Sequence, residues 1–160
     1  MDYNSPNSYE RLVDERLAHI VRQLARDFQN CLEERIQPYG VNHGFWAYLR
    51  ELWEEDGVSQ RDLSERVGLS GPTTNSVVKR MVVADLVELR PIVEGKPRML
   101  VHLTDRGRSL RGVLEPLAEE VNTIAVRDMS SDETDILRTF LLKMLSNLRA
   151  AELASTEPSD

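Results

Sequence analysis

The sequence predicts a mainly α fold with a small β-wing, in which a winged helix-turn-helix core is flanked by N- and C-terminal helices. Three observations predict it. Two capped helical segments follow one another across Gly68-Leu69 with only a tight break between them. Two β-prone runs, residues 86–92 and 98–104, then flank the basic turn Val93-Glu94-Gly95-Lys96-Pro97. Long apolar stripes at three- and four-residue spacing lie on both sides of this module.

The elements follow in order. Residues 9–37 place Leu12, Val13, Leu17, Ile20, Leu24, Phe28, Cys31, Leu32 and Ile36 on one helical stripe, which Pro38-Tyr39-Gly40 stops. A helix over about 43–54 carries Phe45, Trp46, Leu49, Leu52 and Trp53. Ser59, three residues before Asp62, caps the next helix, because a serine oxygen there accepts from an orphan N–H and an acid suits the helix dipole. Gly68 ends that helix by entering the left-handed region. Ser70 caps the following one, with Pro72 in its first turn, where a missing N–H costs little. Its apolar stripe is Thr74, Val77, Val78 and Met81, so Thr73, Asn75, Ser76, Lys79 and Arg80 share the opposite face. After Thr104 a helical run extends over about 105–127, with Pro116 as a kink site. Ser130 to Glu133 reads as a capping box opening a last helix with Ile136, Leu137, Phe140, Leu141, Met144, Leu145 and Leu148. Residues 1–8 and 152–160 read as flexible tails.

The polar face of the second capped helix has the chemistry to meet a duplex. Small hydroxyl and amide groups at its N-terminal end (Ser70, Pro72 beside them, Thr73, Asn75, Ser76) suit base edges and phosphates, and Lys79 and Arg80 suit the backbone. Arg90, Lys96 and Arg98 extend that reach from the hairpin. The stretches LRELWEEDGVSQRDLSERVGLSGPTTNSVVKRM and VHLTDRG resemble the MarR family of winged helix-turn-helix transcription regulators, over about residues 10–150. The resemblance implies a single domain over 9–150, its winged module at about 42–104 and dimerisation helices at about 9–37 and 105–150. It implies a homodimer on a pseudo-palindromic double-stranded DNA operator, acting as a repressor that a small aromatic carboxylate or phenolic effector releases. The effector region would involve Arg16, His19, Trp46 and Arg50, although Trp46 suits a core better than a ligand wall and the arginines suit surface pairs. Two positions depart from the family pattern. Asp85 stands where a glycine is usual before the first wing strand, and Glu94-Gly95-Lys96-Pro97-Arg98 replaces the usual Asp-Arg-Arg of the wing. Asp tolerates the left-handed region, so the turn can survive, whereas lysine cannot reproduce arginine's planar fork.

Charge and composition fit this reading. The net charge of −7 is unevenly spread: residues 56–112 carry 10 basic against 7 acidic side chains, whereas the segments on either side are acidic. A chain of 160 residues with 41% hydrophobic content can bury a core as one domain. No apolar run is long enough for a bilayer and no leader pattern appears, which predicts a cytoplasmic protein without a membrane partner. The single cysteine, Cys31, excludes an intramolecular disulfide. His19, His43 and His102 show no metal-type spacing, and no phosphate loop or nucleophile elbow occurs, so the sequence predicts neither an enzyme nor a cofactor or metal. His102 alternates with Val101 and Leu103 and is expected to face solvent or DNA. The alternative function is a winged-helix protein-interaction module that does not touch DNA.

Overall fold

The computed structural model describes residues 15–92 and 98–156. Its elements are α1 (Leu17–Ile36), a 3-10 turn (Gln37–Tyr39), α2 (His43–Glu54), β1 (Val58–Ser59), α3 (Gln60–Val67) and α4 (Gly71–Val83). Then come β2 (Val87–Ile92), β3 (Arg98–Leu103), α5 (Asp105–Ser109), α6 (Arg111–Ala125) and α7 (Ser131–Thr156). Contacts divide the chain into two units, residues 1–121 and 122–160.

In the first unit, the helix-turn-helix forms as its caps dictate. The Ser59 side chain accepts from the Asp62 N–H and the Ser70 side chain from the Thr73 N–H, each satisfying an orphan donor of the first turn. Gly68 closes α3 at φ 68° and ψ 29°, a left-handed cap that turns the chain sharply enough to start α4 after two residues. Asp85 takes φ 55°, so the position usually held by glycine keeps its turn.

The core gathers Leu32 and Ile36 of α1 with Tyr48, Leu49 and Leu52 of α2, Leu63 of α3, and Val78 and Met81 of α4. Leu86, Val87, Val101, Leu103 and Leu114 complete it from the sheet side and α6. Thr74 is buried in this core, and its hydroxyl and that of Tyr48 lie 3.1 Å apart, so neither polar group is left without a partner.

Several boundaries differ from the sequence reading. The hairpin acquires a third strand: Val58 pairs with Val101 and Ser59 with Leu100, giving an antiparallel sheet in the order β1-β3-β2. The wing strands are shorter than 86–92 and 98–104. Leu86 joins the core ahead of β2, and Thr104 caps α5 by accepting from the Gly107 N–H. The run after Thr104 is two helices, broken at Leu110 rather than bent at Pro116, which sits inside α6. At the break the Val113 N–H bonds the Leu110 carbonyl three residues back, a tightened turn.

In the second unit, the Ser130 hydroxyl accepts from the Glu133 N–H while the Glu133 carboxylate accepts from the Ser130 N–H, the reciprocal pair of a capping box. The helix it opens runs through Thr156, so residues 152–156 are helical where the sequence predicts the start of a tail. Nothing in its local sequence stops it earlier, since no glycine or proline occurs between Ser131 and Thr156.

Candidate nucleic-acid interface

The face of α4 turned away from the core is the candidate reading surface. Ser70, Pro72, Thr73, Asn75, Ser76, Lys79 and Arg80 are all exposed, and Thr74, Val77, Val78 and Met81 are buried beneath them. The 3.6-residue period therefore separates a packing stripe from a polar stripe on one helix. The Ser70 and Thr73 hydroxyls lie 2.8 Å apart, so part of Thr73's hydrogen-bonding capacity is already engaged at the cap. Asn75 and Ser76 stand one turn further along the exposed face. Arg80 lies with its guanidinium carbon 5.3 Å from the centre of the Phe45 ring of α2.

Contacts from α5 and its cap hold α4 and the wing in register. Arg106 donates to the Ala84 carbonyl at the end of α4 and, at 2.7 Å, to the Tyr39 carbonyl before α2. The Thr104 hydroxyl donates to the Asp85 carbonyl at 2.7 Å. Trp53 Nε1 donates to the Gly107 carbonyl at 2.9 Å, tying α2 to the same turn. Gly107 has no room for a side chain, because a Cβ would stand 2.1 Å from the Leu86 carbonyl oxygen. Arg111 donates to the Trp53 carbonyl and pairs with Glu54 and Glu115; the hydrogen bond to Glu115, foremost, raises its pKa.

On the wing, Arg90 is exposed but pairs with Glu88 two residues earlier on β2, with Nε 3.0 Å from the carboxylate. Arg98 opens β3 opposite Ile92, and Lys96 lies outside the described residues. His102 stands against the loop of Asp56 and Gly57. It is partly buried, with Nδ1 3.8 Å from an Asp56 carboxylate that also accepts from the Leu103 N–H and binds Arg108 at 2.9 Å. Strand alternation correctly took His102 off the core face, but the loop before β1 covers that side.

Of the residues expected to form an effector region, Trp46 and Arg50 lie one turn apart on α2, and Arg16 and His19 lie at the start of α1. Trp46 is buried and packs edge-to-face on Trp53, with ring centres 5.7 Å apart, as a core residue does. Arg16 and His19 are exposed at the start of α1, His19 beside Glu15 and Arg22. From there α1 rises about 20 Å before Leu32 enters the core with α2. Arg50 is exposed on α2. An open cleft of about 570 Å³ lies instead between α3 and β3, lined by Ser59, Gln60, Arg61, Asp62, Glu65 and Met99. Cys31 accepts from Arg35 Nη1 at 3.0 Å on α1, and Arg35 also pairs with Glu120 of α6 at 3.2 Å.

Neither the Arg106 tie nor the Phe45 stack is visible in the sequence reading. Both join residues tens of positions apart, and only the arrangement of the folded chain supplies them.

Comparison with known proteins agrees with this architecture. Residues 49–88 match a family model described as winged helix-turn-helix DNA-binding. The chain is 26% identical over 145 residues to the HTH-type transcriptional regulator TtmR of Methylorubrum extorquens, covering 91% of this chain and 73% of that protein. A MarR transcriptional regulator from Methanosarcina mazei superposes with a TM-score of 0.75 at 23% identity, covering 84% of this chain and 90% of the other. A putative MarR family regulator from Listeria monocytogenes, solved in complex with a 26mer DNA, superposes with a TM-score of 0.74 at 17% identity, covering 91% and 99%. These relatives are transcription regulators rather than enzymes.

Proposed function

We propose that the chain is a DNA-binding winged helix-turn-helix transcription regulator of the MarR type, a reading supported by the matches above, and that it works as a cytoplasmic, homodimeric repressor on a pseudo-palindromic operator. The observation that carries the proposal is the division of α4: an exposed row of Thr73, Asn75, Ser76, Lys79 and Arg80 stands on a stripe buried to 9% exposure or less. A rigidly seated helix with short polar groups near its start and cations near its end fits a major groove. Base preference is assigned to Asn75 and Thr73, with Ser70, Pro72 and Ser76 beside them at the helix start. Backbone anchoring is assigned to Lys79, Arg80, Arg90, Lys96 and Arg98.

Dimerisation is supported by apolar surface on helices outside the winged module. In α1, Leu17, Val21 and Leu24 are 41–66% exposed. In the second unit, α7 exposes Ile136, Leu137, Phe140, Leu141, Leu142, Leu145 and Leu148 at 38–69%. Such stripes exceed what scattered surface residues explain, and a two-fold partner is the commonest cover. The cytoplasmic assignment accords with the described helices, none of which is long and apolar enough to cross a membrane.

Release by a small aromatic carboxylate or phenol belongs to the same proposal. Arg16, His19 and Arg50 would offer charge and hydrogen bonds from exposed positions, and Trp46 the apolar wall.

The test is retention of mixed genomic fragments across a salt series, followed by sequencing of what remains bound at the highest salt. A regulator of this kind loses affinity steeply with salt and leaves a recurrent, two-fold-related sequence. A protein that retains no fragment even at low salt would instead be an interaction module that uses the winged fold without DNA. Light scattering on the same sample reads the dimer, and a monomer would overturn the assembly proposed.

A further inference from the structure

Between residues 55 and 111 the described arginine side chains fall into two groups. Arg61 pairs with Glu65, Arg66 with Glu55, Arg90 with Glu88, Arg108 with Asp56 and Asp105, and Arg111 with Glu54 and Glu115. Arg106 is held by two backbone carbonyls. Arg80 belongs to neither arrangement. Among the described residues its assigned neighbour is the Phe45 ring, 5.3 Å from the guanidinium carbon, and a Cβ on Gly44 would lie only 3.8 Å from its Nη2. Phe45 is 6% exposed and fixed in the first turn of α2, where its own N–H is capped by the Asn42 side chain at 3.0 Å. The platform is therefore rigid, while the arginine above it stands on the exposed face of α4.

We propose that Phe45 is a positioning residue for DNA binding, whose ring holds the Arg80 guanidinium flat so that its planar edge meets the duplex backbone already oriented. Stacking occupies the face of a guanidinium and leaves its N–H donors, which lie in the plane, to bond an outside anion. The side chain is then partly ordered before the duplex arrives. An unrestrained arginine loses roughly 0.5–1.5 kcal/mol of rotamer freedom on docking, equivalent to roughly a 2- to 12-fold change in affinity. Lysine at position 80 would keep the charge but not the planar, pre-oriented fork. The inference rests on the assignment of α4 as the DNA-reading helix and adds a residue of α2 that does not itself face the groove.

The experiment is fluorescence anisotropy with labelled duplexes of random sequence, on the full chain. The proteins compared are the wild type, Phe45→Leu, Phe45→Tyr, Arg80→Lys, Arg80→Ala, Lys79→Ala, and the double variants Phe45→Leu with Arg80→Ala and Phe45→Leu with Lys79→Ala. Phe45→Leu is expected to weaken binding roughly 2- to 12-fold for each half-site. It should do nothing further once Arg80 is alanine, and it should leave the Lys79→Ala effect unchanged. A merely structural role for Phe45 would lower affinity in all three backgrounds alike, which overturns the proposal. Phe45→Tyr keeps the ring face and should bind as the wild type does; loss of binding by this variant in folded form also counts against the stack. Should Phe45→Leu not fold, Arg80→Lys decides: affinity close to that of Arg80→Ala supports the oriented fork, and wild-type affinity overturns it. A wild-type protein that shows no salt-dependent binding to any duplex would sink the DNA assignment itself, an outcome distinct from folded variants that bind alike.

Discussion

Gly107→Ala should destabilise this protein strongly, because the glycine is buried against backbone. The new Cβ would stand 2.1 Å from the Leu86 carbonyl oxygen and 3.1 Å from its carbon, whereas 3.4–4 Å is ordinary contact. Leu86 is fully buried, so neither backbone can swing into solvent to relieve the clash, and the two must part by roughly 1 Å. Two bonds bracket the contact: the Thr104 N–H donates to the Leu86 carbonyl at 3.1 Å and the buried Trp53 Nε1–H to the Gly107 carbonyl at 2.9 Å. Overpacking costs about 1–3 kcal/mol, and an indole donor left unsatisfied in the core adds about 1–3 kcal/mol. The combined loss of roughly 2–6 kcal/mol is a large share of the stability of an ordinary domain. For a chain of this size it should lower the thermal midpoint by roughly 4–24 °C. Thermal unfolding followed by circular dichroism in the absence of DNA measures it directly. A midpoint within about 3 °C of the wild type would refute the reasoning, since it would mean that the α5 turn and the start of the wing separate without loss.

Two further outcomes concern the interface and one the cap of α7. Asn75→Ala should relax preference at one or two base pairs, costing about 1–3 kcal/mol against the best site, whereas Lys79→Ala should weaken all sites alike; an unchanged ranking of operator variants for Asn75→Ala would remove its assigned role. Lys96→Ala combined with Arg98→Ala should flatten the slope of log affinity against log salt by about 3.6 if each wing makes two phosphate contacts, and an unchanged slope would mean that the wing does not touch the duplex. Hydrogen bonds from the Ser130 backbone, then from its side chain, hold the Glu133 carboxyl below the usual range. A depressed carboxylate pKa contributes stability that is present above the unfolded value and lost as pH falls through the folded one. The stability difference between wild type and Glu133→Gln should therefore be full at neutral pH, begin to shrink near the ordinary carboxylate value and vanish only once pH falls below the depressed folded one; a difference independent of pH would show that the charge plays no part in the cap.

What was legible in the sequence was what is local. Ser59, Gly68, Ser70 and the Ser130–Glu133 pair act within three or four residues of themselves, and each does in the fold what its type and spacing indicate. The burial of Thr74, Val77, Val78 and Met81 follows from helical period alone. What was not legible depends on distant partners. Val58 and Ser59 form a strand because β3 lies alongside, and two residues carry no periodicity of their own. The break in the run after Thr104 was misplaced because Pro116 is the strongest breaker in it, yet α6 runs through Pro116 at its sixth residue and the break falls at Leu110, before α6 begins. Trp46 was ambiguous between core and ligand wall, and its contact with Trp53 places it in the core.

The charge of the winged segment illustrates the same limit from the electrostatic side. An excess of basic residues over 56–112 points to an anion, but a count cannot say which cations are available to it. In the fold most of those arginines are engaged with carboxylates of their own segment or of α2, where they fix α3, α5 and the wing relative to the core. Such exposed pairs contribute little stability individually, so their main consequence is to neutralise field that the count would assign to DNA. Among the described residues, Lys79 and Arg80 stand exposed on α4, the guanidinium carbon of Arg80 5.3 Å from the centre of the Phe45 ring. Where most arginines are already paired, the proposed affinity depends on how each remaining cation is held. If Phe45 holds Arg80 as proposed, the orientation of Arg80 matters more to binding than one further positive charge on the surface would.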